Sequence, residues 1–137
     1  MFGRDAGDWD KLTGVGAEFL KERAHLQRMT TYTELNATLV ARTGIHPFDF
    51  ELENERAAMG HLLGLIVDHN LAEMPAALPL DKRFLISALV EYLNENDAGP
   101  GFYALAKDKQ MLRRNASRTE MWEFWLRQVE LAFEYYS

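Results

Sequence analysis

The residues of this 137-residue chain that could do chemistry are its four histidines, its 21 acids, Ser87, Ser117 and a Gly-Pro-Gly turn; cysteine is absent. Without cysteine there is no thiol nucleophile, no disulfide framework and no thiolate ligand for zinc or an iron–sulfur cluster. A metal held by histidine and carboxylate needs several such groups converging at ~2.0–2.6 Å. His61 and Asp68 share one face of a predicted helix, but seven residues at 1.5 Å rise put them about 10 Å apart. No His-x-x-x-His spacing occurs. His61 therefore reads as a surface or interface residue near a close helix contact. His46 precedes Pro47, which keeps it out of helical backbone, and without an orienting partner it reads as a loop hydrogen-bonder rather than a catalyst.

Carboxylates crowd at Asp49, Glu51, Glu53 and Glu55. General acid–base work would require at least one of them to be buried, whereas a helix beginning there accounts for all four through its dipole. Neither Ser87 nor Ser117 sits in a nucleophile elbow, and Ser117 is better placed as a helix cap. Gly99-Pro100-Gly101 precedes a helix start, as phosphate loops do, but the Gly-Lys-Ser/Thr ending is missing and Glu95 and Asp97 would repel phosphate. It reads as a structural turn, with Phe102 as the core anchor beyond it. The expectation is a protein that is not an enzyme, with no catalytic constellation, no metal site and no cofactor.

Charge is more informative. The net charge is −6, which argues against a generic polyanion binder. Between Asp49 and Glu73 six acids face Arg56 alone, a local −5. Between Tyr103 and Thr119, Lys107, Lys109, Arg113, Arg114 and Arg118 face only Asp108, a local +4. That segment could meet nucleic-acid phosphate or an acidic protein surface, or it could be a solvated loop whose charges suit the end of the preceding helix.

These groups must be positioned by an almost wholly helical chain. A first helix is expected from about Gly16 to Arg28, reaching back towards Asp8, with Leu12, Val15, Phe19 and Leu26 on a narrow stripe laid against a core built by other elements. Thr31 and Glu34 form a capping box for a short helix that stops at Gly44. A connector around Phe48 and Phe50 follows, then a third helix over about Glu53–Asn70. In that helix Gly60 and Gly64 are expected to let another backbone approach closely. Phe84–Leu93 fits a strand and a helical stripe equally well by periodicity. A turn over residues 94–101 precedes a short helix, and the Ser117–Glu120 capping box opens the last one. The apolar face of that last helix covers roughly 220°, against the ~100° stripe of an ordinary surface helix. Trp122, Trp125, Val129, Phe133, Tyr135 and Tyr136 on it are the candidate partner-binding residues, for a protein partner or a second copy of the chain.

Three groups of residues carry a resemblance. Thr31–Gly44, the run Glu55–Gly64, and Leu85–Val90 with Gly99–Tyr103 resemble a family of small bacterial and phage proteins for which no activity is established. The resemblance spans about Thr31–Tyr136. It implies a winged-helix-like order, two helices followed by an apolar strand and a turn, and so favours a strand over Phe84–Leu93; a phage or defence setting is also only its implication. The acidic start of the third helix departs from a DNA reader, which wants Arg, Lys, Asn or Gln on its recognition helix.

The sequence thus predicts a mainly α, single-domain protein with a small winged-helix-like β element and an α-rich C-terminus, divided into an N-terminal helical extension (1–30) and a winged-helix-like part (31–137) within one compact unit. No apolar run approaches the ~18–20 residues of a membrane span, and the polar N-terminus does not read as a signal peptide, so a cytoplasmic protein without membrane contact is expected. The expected role is a non-catalytic interaction module, dimeric or part of an assembly. A DNA-binding regulator using Lys107, Lys109, Arg113, Arg114 and Arg118 is the alternative, and an enzyme comes third.

Overall fold

Asp5 opens the first helix well before Gly16. Its carboxylate accepts the Asp8 N–H at 2.8 Å, and the Asp8 carboxylate accepts the Asp5 N–H at 3.2 Å. This is a capping box built from two aspartates rather than the usual Ser/Thr and Glu. In the computed structural model, which describes residues 1–92 and 97–137, the helix α1 spans Ala6–His25. Trp9, Leu12, Gly16, Ala17, Phe19, Leu20 and Ala24 are all buried on it, whereas Leu26 is 60% exposed. The apolar face is therefore broader than the expected stripe, and α1 helps to build the core instead of lying against it. It packs on α2 (Tyr32–Thr43), α3 (Glu53–Glu73), the 3₁₀ segment Ile86–Leu89 and α5 (Arg118–Tyr135).

The close helix contact belongs to Gly16. A Cβ there would lie 2.5 Å from Ile66 Cδ1, so the missing side chain is what lets α1 and α3 come together. Arg4 fixes the N-terminal segment to the start of α3. Its side chain is fully buried, pairs with Glu55 at 2.9 Å and stacks 4.0 Å from the Phe48 ring. The Arg4 guanidinium holds the Glu55 carboxyl below its usual range. Asn36 then pins the connector by exchanging two 2.9 Å hydrogen bonds with the Phe48 backbone.

Only half of the expected Thr31–Glu34 capping box forms. Thr31 accepts the Glu34 N–H at 3.1 Å, but the Glu34 carboxylate turns instead to the Thr30 hydroxyl at 2.6 Å and to Arg23 at 3.0 Å. Gly44, at φ 73°, closes α2 as expected. The Ser117–Glu120 box at the start of α5 is complete.

The strand expected over Phe84–Leu93 is mostly absent. Every residue from Phe84 to Val90 is buried, so the run has no solvent face and no period for sequence reading to detect. Its backbone is satisfied piecemeal. The 3₁₀ segment supplies its own short bonds, the Gln128 side chain accepts the Leu85 N–H at 2.7 Å, and Trp125 Nε1 donates to the Ala88 carbonyl at 2.8 Å. Only β2 (Val90–Glu91) is strand, paired in parallel with β1 (Thr30–Thr31) in the register Thr30–Val90 and Thr31–Glu91. Of the turn expected over 94–101, residues 94–96 lie outside the described residues. Beyond it α4 (Pro100–Asp108) begins with proline in its first turn. The chain is a mainly α single domain with this one small sheet, and among the described residues no helix is long and apolar enough to cross a membrane.

Candidate functional site

Gly60 and Gly64 lie one turn apart on α3, and a Cβ on either would meet no protein atom within 4 Å. The same holds for Gly101 in the first turn of α4. The expected close backbone approach at Gly60 and Gly64 is thus corrected: these glycines face a cleft. Its deep end is a cavity of about 250 Å³ between α3 and α4, lined by Leu63, Phe102 and Leu105 together with the three glycines, Ser87, Tyr32 and Asp108. It continues past Tyr32, Gly60 and Gly101 into a groove of about 650 Å³ that also meets Phe50, Arg56, Glu91 and Tyr92.

Each wall has a local cause. Tyr32 stands edge-on to Phe50 and Tyr92, with both ring centroids 6.2 Å away. Gly99 makes that packing possible, because a Cβ there would press on Tyr92 at 3.1 Å and on the Tyr32 hydroxyl at 3.3 Å. The turn before α4 is held by Asp97, whose carboxylate accepts the Tyr103 hydroxyl at 2.5 Å and the Ala98 N–H at 2.7 Å. Burial and the Asp97 carboxylate push the Tyr103 phenol well above its usual range. Burial also raises the Tyr32 phenol, so Tyr32 stays a neutral donor. As expected, Phe102 is buried behind the turn.

The polar groups of the deep end are few. The Ser87 hydroxyl is buried and has no hydrogen-bond partner among the described residues. Asp108 pairs with Arg114 at 3.3 Å on the exposed rim. Among the described residues no three of His, Asp and Glu gather where an ion could be held. His61 lies instead against aromatic rings, edge-on to Trp9 at 4.8 Å and 6.0 Å from Phe2; His46 is exposed in the connector.

The six candidate residues on α5 do not form one patch. Trp125 is 2% exposed and hydrogen-bonded inside, and Tyr136 is half-buried, its hydroxyl accepting the Asn70 amide at 2.6 Å. Trp122 and Tyr135 are exposed at 42% and 40%, yet thirteen residues at 1.5 Å rise set them about 20 Å apart, on different faces of the helix. Val129 and Phe133 are half-buried against the core. The wide apolar face is consumed largely at home, chiefly by the buried 84–90 run.

The basic segment is mostly neutralised. Lys109 pairs with Asp68 at 2.6 Å, Arg113 with Glu120, and Arg114 with Asp108. Arg113 and the Ser117 backbone hold Glu120 down to about 2. Lys107 and Arg118 have no acidic partner among the described residues.

Comparison of the chain with protein-family models, curated proteins and solved structures returns no match. In the sequence Gly60, Gly64 and the Gly-Pro-Gly turn stand as separate features. The signal that joins them is Ser87, the one polar residue in a seven-residue apolar run.

Proposed function

We propose that this protein is a non-catalytic interaction module whose binding site is the cleft between α3 and α4. The observation that carries this reading is the open space over Gly60, Gly64 and Gly101. Glycine inside a helix costs about 1 kcal/mol against alanine, and at Gly60 and Gly64 no packing contact among the described residues uses the missing side chain. Admitting a guest is a physical reason to keep them. Recognition suits the cleft better than nucleophilic chemistry, since the Ser87 hydroxyl has no base to activate it. Nucleic-acid binding by the basic segment is a second reading, favoured only by Lys107 and Arg118.

The test is an amide-resolved NMR titration with short apolar peptides and with charged and uncharged aromatic compounds. The amides of Gly60, Gly64 and Gly101 should move together, and Gly64→Leu, which fills the cleft, should abolish those shifts while the helical circular dichroism is kept. Shifts confined to residues 107–118 or to α5, with the cleft silent, would overturn the proposal.

A further inference from the structure

We infer that the deep end of this cleft binds an uncharged small molecule that presents a carbonyl or hydroxyl oxygen to Ser87 from a flat apolar body; the inference rests on the cleft being the binding site.

Ser87 supplies the first half of the argument. It is 5% exposed, and the backbone around it is well provided: its own carbonyl accepts the Val90 N–H, the Leu85 N–H goes to Gln128, and the Ala88 carbonyl accepts from Trp125. Its hydroxyl has no partner among the described residues. Among the described residues two other buried side-chain polar atoms share that condition, Arg4 Nε and Asn70 Oδ1, but both side chains make hydrogen bonds through their other atoms. Ser87 is the only one of the three whose side chain makes none, and the only one lining the cavity. A buried hydroxyl left unpaired is destabilising, and alanine would avoid that cost at nearly the same size. A ligand oxygen reaching the cavity floor removes the penalty.

The walls supply the second half. Gly60 and Gly64 bare about 6 Å of α3 backbone, a flat strip against which a ring can lie, while α4 contributes Phe102 and Leu105. A charged ligand would surrender its hydration to these apolar side chains without recompense. Among the described residues the only formal charge lining this end, Asp108, is already paired with Arg114. Tyr32, at the junction with the outer groove, offers a neutral phenol to a second oxygen. Cavity and groove together fall in the size range of small-molecule sites, which are apolar with a few placed polar groups.

The probes are 2-acetylnaphthalene, its hydrocarbon counterpart 2-ethylnaphthalene, and the anion 2-naphthoate, each titrated against the intact chain with amide shifts as the readout. 2-Acetylnaphthalene should saturate shifts at Gly60, Gly64, Ser87 and Gly101. Ser87→Ala, which removes no existing hydrogen bond and should fold normally, should weaken it about tenfold, the equivalent of one net hydrogen bond of ~1.4 kcal/mol. 2-Ethylnaphthalene should bind the two proteins equally. An unchanged affinity of 2-acetylnaphthalene for Ser87→Ala, or 2-naphthoate binding as tightly as the ketone, would overturn the ligand class. The cleft would then still stand as the site if Gly64→Leu abolished the shifts. Silence of the cleft amides towards all three probes and towards the peptides would overturn both readings.

Discussion

At the scale of single residues the molecule uses glycine in two opposite ways, and stability measurements can separate them. Gly16 is a contact: an added methyl would sit 2.5 Å from Ile66 Cδ1 and 3.7 Å from Leu39 Cδ2, both on fully or nearly fully buried side chains. Overpacking of this kind costs about 1–3 kcal/mol, only partly offset by the ~1 kcal/mol gain in helix propensity. Gly16→Ala should therefore lower stability, by up to about 2 kcal/mol. Gly60→Ala and Gly64→Ala place their methyls in open cleft and should each raise stability by about 0.5–1 kcal/mol. Urea unfolding midpoints at unchanged slope measure all three. A destabilised Gly64→Ala protein would mean that the cleft is packed in solution and would remove the basis for a binding site there. Sequence spacing exposes the Gly60–Gly64 pair readily, but not which way it works. That depends on whether another element arrives opposite, and the neighbour of Gly16 is fifty residues away in the chain.

At the scale of elements, what was legible followed from local chemistry. The Ser117 box, the Gly44 stop, the long third helix and the proline-led α4 are each set by residues within a turn of one another, and each appears where the sequence puts it. The Asp5–Asp8 box was missed because aspartate replaced both usual partners. The half-formed box at Thr31 shows a tertiary competitor winning, since Glu34 serves Thr30 and Arg23 instead. Phe84–Val90 was not legible because burial on all sides erases periodicity. A strand there would need a partner along its length, and β1 offers two residues. The structure instead relies on α5, whose Gln128 is 4% exposed and accepts the Leu85 N–H. Gln128→Leu would strand that N–H in the core and should cost about 1–3 kcal/mol, with faster hydrogen exchange at the Leu85 amide. Glu123→Ala, exposed on the same helix, should change stability by no more than about 0.5 kcal/mol. Equal effects would mean that Gln128 does not hold the segment.

At the scale of the whole molecule, charge gives the sharpest contrast between chain and fold. The linear count leaves a local +4 over Tyr103–Thr119, and a run like that in an extended tail would draw phosphate. Folding surrounds it with acid. Asp68 arrives from α3 to meet Lys109 and Glu120 from α5 to meet Arg113, while Asp108, already within the count, meets Arg114. Glu120, held near 2, remains ionised across all ordinary buffers. Such exposed pairs add little to stability, but they reduce the potential that a phosphate would feel, on a chain already at −6. Affinity for duplex DNA depends on how many phosphates are neutralised, each one adding to the salt dependence. Lys107 and Arg118 leave at most two. The expected outcome is that a short duplex or single strand is not retarded in an electrophoretic assay even at low salt, and that Arg113→Glu with Arg114→Glu changes nothing there. Retardation that fades steeply with added salt and disappears in the double variant would show that these pairs open to receive phosphate. The basic segment would then replace the α3–α4 cleft as the functional surface.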